Sequence, residues 1–429
     1  MPLDVTRDQL TVQREKAVLV GVALPDRPWL SRDPLEELRG LAQTAGAFIV
    51  GELTQKRHDI VPGTYIGRGK LEELKLLVDT TAADVVIFDN DLTPAQVKNL
   101  EKATKVKVLD RSELILDIFA SRARTHEARL QVELAQLEYS LPRLRNMWTH
   151  LSRQTGGGIG LRGPGETQLE VDRRLVSQRI RDLKEKLVEV QARKQREVRS
   201  RAEEYTVSLV GYTNAGKSTL MNALTGANVV AEDQLFSTLD TRTRQWHIRD
   251  WGRVLLSDTV GFIRDLPHHL VASFRATLEE ARQARLLLHV VDASSPQAEE
   301  HIAAVKKVLL ELGIADKRVI LVLNKADRVE DPTTLTVLQQ NHPQAVVLSA
   351  RSGLGFENLR EAVISELEAG FADSEVITSQ ANGKVIAYLN AHAEIYRQEY
   401  RGEQVVIQCF LPRHLLHHIQ GPDVQVRFR

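Results

Sequence analysis

The sequence predicts an α/β protein in four parts: a small N-terminal α/β domain over residues 1–120, a long antiparallel helical hairpin over 121–204, a second α/β domain over 205–370 and a small α+β module over 371–429. Three observations carry this reading. Short apolar strands alternate with helical periodicities in two separate stretches, as in sheets with helical crossovers. Between those stretches two apolar seams repeat with the spacing 4-3-4-3, the pattern of paired helices. A glycine-rich loop, Gly211 to Ser218, stands between an apolar strand and a helix start. The length of 429 residues agrees with several units, because single cores stop growing near ~250–300 residues.

In the first part Ala17–Leu24 is an apolar strand and Pro34–Leu41 has helical spacing. Phe48–Val50 and Asp84–Phe88 are short strands on either side of a helix at Leu71–Leu77, and Val106–Leu109 is a fourth strand. That alternation predicts a mostly parallel sheet. In the hairpin, Leu130, Leu134, Leu137, Leu141 and Leu144 form one seam; Val176, Ile180, Leu183, Leu187 and Val190 form the other. Matching seams joined by a short connection, here the glycine-rich Thr155–Gly165, fold back antiparallel. Thr167 with Glu170 reads as a capping box that opens the second helix. At ~1.5 Å per residue the arms place the loop roughly 30–40 Å from the base.

The second α/β stretch offers strands at Val207–Val210, Val254–Ser257, Leu286–Val291, Val319–Leu323 and Val346–Leu348. Ala369–Ser374 reads as a linker. Beyond it the sequence suggests a helix over Val385–Tyr400, a strand over Gln404–Phe410, and a terminal strand over Val424–Phe428.

Composition narrows the class. The apolar fraction of 42% is that of a soluble globular protein. No apolar run approaches the roughly 20 residues of a membrane span, and no signal-peptide core opens the chain. Cys409 is the single cysteine, so no intramolecular disulfide forms and a cytoplasmic location is expected. A monomer without membrane insertion is expected as well. Total charge is zero, yet Arg122–Arg201 holds 18 Lys/Arg against 10 Asp/Glu, a local net of +8. Such a block suits either an anionic partner or a solvated helical face.

Gly211-Tyr212-Thr213-Asn214-Ala215-Gly216-Lys217-Ser218 is an unbroken G-x-x-x-x-G-K-S. Its glycines let backbone N–H groups cradle phosphates, Lys217 supplies a cation to the β- and γ-phosphates, and the Ser218 hydroxyl can ligate Mg²⁺. Strand, loop and helix N-terminus together confirm the motif, since the helix end adds partial positive charge. Four segments follow in the order a GTP site needs. In Phe236-Ser237-Thr238-Leu239-Asp240, the Thr238 hydroxyl can reach Mg²⁺ and its N–H the γ-phosphate. In Asp258-Thr259-Val260-Gly261, the aspartate can hold the metal shell and the Gly261 N–H can touch the γ-phosphate. In Asn324-Lys325-Ala326-Asp327, the Asp327 carboxylate can accept from guanine N1–H and N2–H₂, which adenine cannot offer, with Lys325 against the base plane. Ser349-Ala350-Arg351 ends the last strand, where the Ala350 N–H can reach guanine O6. In combination these segments predict a Ras-like P-loop GTPase domain that binds GTP and GDP with Mg²⁺.

At these residues the chain resembles the translation-factor-related GTPases. Gly-Tyr-Thr-Asn-Ala-Gly-Lys-Ser, Asp-Thr-Val-Gly-Phe-Ile and Gly-Leu-Arg-Gly-Pro-Gly-Glu-Thr-Gln-Leu-Glu together resemble the HflX family, over roughly residues 17–370. The resemblance implies a factor that binds the large (50S) ribosomal subunit and its rRNA, and that splits or rescues stalled ribosomes. Arg153 and Arg162, at the hairpin loop, then become candidates for rRNA phosphate contacts, which position without reading sequence. The resemblance also links an ATP-related activity to the N-terminal domain, where Gly67-Arg-Gly69-Lys70 can cradle a phosphate. Gly158–Gly163 matches G-x-G-x-x-G, but it follows no strand, which argues against a dinucleotide site. The alternative function is an RNA or ribosome-assembly chaperone that uses GTP only as a binding switch.

One position departs from the Ras pattern. Phe262 stands directly after Gly261, where Ras-like enzymes carry a water-orienting glutamine. A phenyl ring cannot orient water. Three substitutes are open: a ribosomal group in trans, a nearby side chain such as His268 or His269, or a cation. Asn214 resembles the asparagine of GTPases that coordinate K⁺ beside the phosphates. The catalytic candidates are therefore Lys217, Thr238, Gly261 and Asn214, with hydrolysis expected to be slow without outside help.

Overall fold

A computed structural model describes residues 14–25, 29, 33–143, 168–199, 205–226, 235–236, 238, 241–249, 251–264, 280–314, 316–369, 371–412 and most of 416–428. The glycine-rich loop with Arg153 and Arg162, together with Leu144, Thr167, Ser237, Leu239, Asp240, His268 and His269, lies outside these residues.

The N-terminal domain is a four-stranded parallel sheet, β1 (Lys16–Ala23), β2 (Phe48–Lys56), β3 (Val85–Phe88) and β4 (Lys107–Asp110), in the order β2-β1-β3-β4. Strands β1 and β3 are apolar and buried on both faces, as parallel strands under helices must be. The helices α1 (Glu36–Thr44), α2 (Arg68–Thr81) and α3 (Pro94–Thr104) are the crossovers, and α4 (Arg111–Arg122) continues from β4. Local signals set their starts. Thr93 and Gln96 form a capping box on α3, and the Asp110 carboxylate accepts the Glu113 N–H at the head of α4.

Helix α5 (His126–Ser140), capped by Thr125, packs against α6 (Gln168–Arg199). Leu130, Leu134, Ile180, Leu183 and Leu187 share one core, with Leu137, Leu141 and Val176 at its margin. Glu133 pairs with Arg179 at 2.7 Å and Glu138 with Lys184 at 2.8 Å. Both pairs join like flanking positions of the 4-3 repeat, as helices of opposite direction require. Helix α5 gives way to a 3₁₀ turn over Leu141–Arg143. None of the described helices is long and apolar enough to cross a membrane.

The second α/β domain has a six-stranded sheet of β5 (Tyr205–Gly211), β6 (Arg242–Ile248), β7 (Gly252–Asp258), β8 (Leu286–Asp292), β9 (Arg318–Asn324) and β10 (Val346–Val347), in the order β10-β9-β8-β5-β7-β6. Only the β6–β7 pair is antiparallel, which completes a Ras-like domain. Helices α7 (Lys217–Thr225), α8 (Ala298–Glu311), α9 (Pro332–Asn341) and α10 (Phe356–Glu368) belong to it. One apolar cluster crosses the domain boundary: Leu19, Leu38, Phe119 and Val132 share it with Tyr212, Phe236, Val260 and Phe262.

The C-terminal module corrects two expectations. Ala369–Ser374 is not a linker: α10 ends at Glu368 and strand β11 (Phe371–Ser379) begins three residues later. The helix expected to run to Tyr400 stops at His392 as α11 (Gly383–His392), and β12 (Glu394–Arg401) follows. With β13 (Gln404–Pro412) and β14 (Val424–Phe428) they form an antiparallel sheet in the order β12-β13-β11-β14. Val376 inside β11 is fully buried against Ile407 and Leu389, and this tertiary packing outweighs the weak strand signal of Ala369–Ser374.

Candidate functional site

Gly211, Thr213, Asn214, Gly216, Lys217 and Ser218 curl from the end of β5 into α7. Asn214 takes a left-handed φ of 59°, Gly216 one of 90°. A Cβ at Gly216 would collide with the Asn324 side-chain amide, so only glycine fits there. Lys217 is 6% exposed and its Nζ donates to the Gly211 and Tyr212 carbonyls at 3.1 and 2.9 Å. Burial pushes its ammonium down to about 8, against the pull of Asp258. The loop lines a polar recess together with Thr219, Phe236, Thr238, Thr259 and Gly261.

Three oxygens converge beside that recess. Ser218 Oγ lies 2.8 Å from Thr238 Oγ1 and donates to Asp258 Oδ2 at 2.6 Å; Thr238 Oγ1 donates to the same oxygen at 3.0 Å. Asp258 is buried, and its Oδ1 has no hydrogen-bond partner among the described residues. Burial raises the carboxyl above its ordinary value, while Lys217, Ser218 and Thr238 oppose that rise. Two hydroxyls and a carboxylate with spare acceptor capacity make a hard-oxygen donor set, which fits Mg²⁺. When bound, Mg²⁺ would neutralise charge on the β- and γ-phosphate oxygens. These residues meet although 40 positions separate Ser218 from Asp258, because β5 and β7 are parallel neighbours.

Gly261 packs on the loop. A Cβ there would lie 2.8 Å from Thr213 Cα and 3.1 Å from Lys217 Nζ. The next residue is sutured to the loop by its backbone: Phe262 N–H donates to the Gly211 carbonyl at 3.0 Å, and Thr213 N–H donates to the Phe262 carbonyl at 2.6 Å. The Phe262 ring is 2% exposed and sits in the core shared with the N-terminal domain. Sequence reasoning saw a missing glutamine here; the structure shows a core residue.

Asn324 and Ser349 close the far side. Asn324 Nδ2 donates to the Ala215 carbonyl and its Oδ1 accepts the Ala350 N–H, both at 2.9 Å. Asn324 therefore ties the loop to Ser349–Ala350. The Ala350 N–H expected to read guanine O6 donates to Asn324 instead, because the two strand ends sit side by side. Asp327 is exposed; a hydrogen bond from Ser349 holds its carboxyl below the ordinary value, leaving an ionised acceptor for a base edge. Lys325 pairs with Asp292 at 2.7 Å. In the N-terminal domain the Gly67 N–H donates to Gln55 Oε1 at 3.1 Å, so that donor is already used.

Sequence reasoning missed a polar cluster beside the site. Tyr212, the second loop residue, stacks on His301 with ring centroids 3.8 Å apart and donates to Glu37 of α1. Arg111 binds Glu37 at 2.9 Å and Asp89 at 2.6 Å. Arg264 binds Asp89 at 3.3 Å and Glu37 at 3.5 Å. Burial alone would raise the Glu37 carboxyl, but Arg111 and Arg264 outweigh it and hold it below the usual range. The available signal was the tyrosine at a loop position that needs no side chain.

A phosphate loop, a hard-oxygen site and a carboxylate beyond an Asn-Lys-x-Asp turn, all at strand ends of one Ras-like sheet, define a P-loop GTPase. Residues 32–120, 122–201 and 206–325 match family models described as GTP-binding GTPase N-terminal, GTP-binding GTPase Middle Region and 50S ribosome-binding GTPase. The chain belongs to the HflX family of GTPases, enzymes that hydrolyse GTP. It is 48% identical to GTPase HflX of Caldanaerobacter subterraneus subsp. tengcongensis, covering 86% of this chain and 84% of that one. It is 47% identical to GTPase HflX of Escherichia coli K12, covering 86% and 87%. A GTP-binding protein of Sulfolobus solfataricus, crystallised with GDP, is 23% identical over 82% of this chain and 98% of its own, with a TM-score of 0.44.

Proposed function

We propose that this GTPase acts on the large ribosomal subunit and splits or rescues stalled ribosomes, with hydrolysis stimulated by the ribosome. The observation that carries the reading is the match of residues 206–325 to the 50S ribosome-binding GTPase description. The net +8 between Arg122 and Arg201 supports it, since a basic rod suits rRNA phosphates. Arg153 and Arg162 are the contacts proposed at its tip. In the site, Lys217, Thr238 and Gly261 are the proposed contacts of the γ-phosphate, Ser218, Thr238 and Asp258 the metal ligands, and Asp327 the guanine reader. The incomplete set around Phe262 supports stimulation from outside. We assign Asn214, exposed at the mouth of the recess, to a K⁺ that supplies the missing charge. Hydrolysis should then run faster in KCl than in NaCl; equal rates remove that role.

The test of the ribosomal reading is co-sedimentation with purified 50S subunits. Binding with a non-hydrolysable GTP analogue and release with GDP are expected. Equal recovery in both nucleotides contradicts the reading.

A further inference from the structure

Both segments proposed to meet the γ-phosphate are held from behind by the N-terminal domain. On one side, the Phe236 ring meets Phe119 of α4 edge-on, with centroids 4.7 Å apart. Arg122 donates to the Phe236 carbonyl at 3.2 Å, and Leu235 N–H donates to Thr44 Oγ1 at 3.3 Å. Phe236 is 1% exposed and has a left-handed φ of 55°, a conformation that persists only where the surroundings impose it. On the other side, Arg264 N–H donates to Tyr212 Oη at 2.7 Å, and the Arg264 carbonyl accepts from Arg111 at 3.0 Å. Helix α4 thus touches one segment through Arg111 at its head and the other through Phe119 and Arg122 near its end. Under these contacts Thr238 reaches Ser218 and Asp258, and Gly261 lies against Lys217. The N-terminal domain therefore grips both segments in the arrangement that gathers the metal ligands.

We propose that Glu37, Arg111 and Phe119 are positioning residues of the GTPase reaction: they hold both segments in the metal-gathering arrangement, so that docking of the N-terminal domain favours bound triphosphate over diphosphate. Glu37 acts through Tyr212 and Arg264, Arg111 through Arg264, and Phe119 through Phe236. On the site reading proposed above, on which this inference rests, a γ-phosphate meets these segments, and GDP lacks that group. Whatever holds the segments in place therefore lowers the cost of binding GTP specifically, and by linkage bound GTP strengthens the docking in return.

The full-length chain tests this. Dissociation constants for a fluorescent GDP and a non-hydrolysable GTP analogue are measured for Glu37→Gln, Phe119→Leu and Thr44→Val, with thermal midpoints alongside. Thr44→Val removes one hydroxyl at nearly constant volume, so it reports even where a core variant fails to fold. Weakening of the analogue by ~5-fold or more, with GDP unchanged within a factor of two, is the expected result for the folded variants. Retention of the wild-type preference by Glu37→Asp, which keeps the carboxylate, supports the assignment further. Equal weakening of both nucleotides would show a merely structural role and overturn the proposal. So would no change in either, or tighter binding of the analogue.

Discussion

Asn324 donates its side-chain amide to the Ala215 carbonyl at 2.9 Å, which fastens the end of β9 to the phosphate loop across the sheet. The same side chain accepts the Ala350 N–H, and it sits where a side chain on Gly216 would have to go. One buried amide therefore aligns the base-reading loops with the phosphate-binding loop. Asn324→Ala leaves two buried backbone groups without partners, at ~1–3 kcal/mol each. Affinity for GTP and GDP should fall together by ~10-fold or more, with a lower melting midpoint. Equilibrium binding of both nucleotides checks this, and an unchanged GDP affinity would contradict it.

Asp327 is the acceptor proposed for the guanine edge. An amide in its place presents one donor where two acceptor contacts are needed. Asp327→Asn should weaken GTP binding by ~100-fold or more, as losing paired polar contacts does, while admitting xanthosine nucleotides. Competition between GTP and XTP for the variant reads the switch directly.

Nucleotide binding should also depend on pH through Lys217. Burial sets its pKa at about 8, and phosphate oxygens favour its charged form. Binding thus takes up a proton when the lysine is neutral. Affinity should be at its full value below about pH 8 and decline above it, by at most ~10-fold per pH unit. A titration of GDP affinity from pH 6.5 to 9.5 checks the sign; an affinity that rises above pH 8 would contradict it.

Restoring the Ras glutamine should not restore Ras chemistry. The Phe262 ring points into the core shared with the N-terminal domain, not into the recess. Phe262→Gln removes buried apolar surface and buries an amide, with a cost of ~3 kcal/mol or more. A lower melting midpoint with no gain in basal hydrolysis is expected. Faster hydrolysis would show that the side chain can reach the attacking water.

The contrast around Phe262 shows what sequence could and could not reveal. The loop at 211–218, Asp258 and Asn324–Asp327 were legible because phosphate, metal and base chemistry each demand fixed residue types at fixed spacing. The parallel sheets were legible because buried strands are apolar along their whole length. Strand β6 was not: Arg242–Ile248 is a polar edge strand whose pairing is decided by β7. β11 was hidden for a similar reason, since its partners lie 25 and more residues away. The cluster of Glu37, Asp89, Arg111, Tyr212 and Arg264 was hidden because it spans 227 positions between Glu37 and Arg264. Each member alone reads as an ordinary surface charge or an arbitrary loop residue. Long-range pairing of this kind leaves no local pattern.

On the function proposed above, this HflX-family GTPase works on the large ribosomal subunit and needs it for efficient chemistry. Single-turnover GTP hydrolysis, with and without purified 50S subunits, is the decisive measurement. A rate raised by ~100-fold or more is expected, on the scale of catalytic groups supplied in trans. The same rate with and without subunits would contradict it.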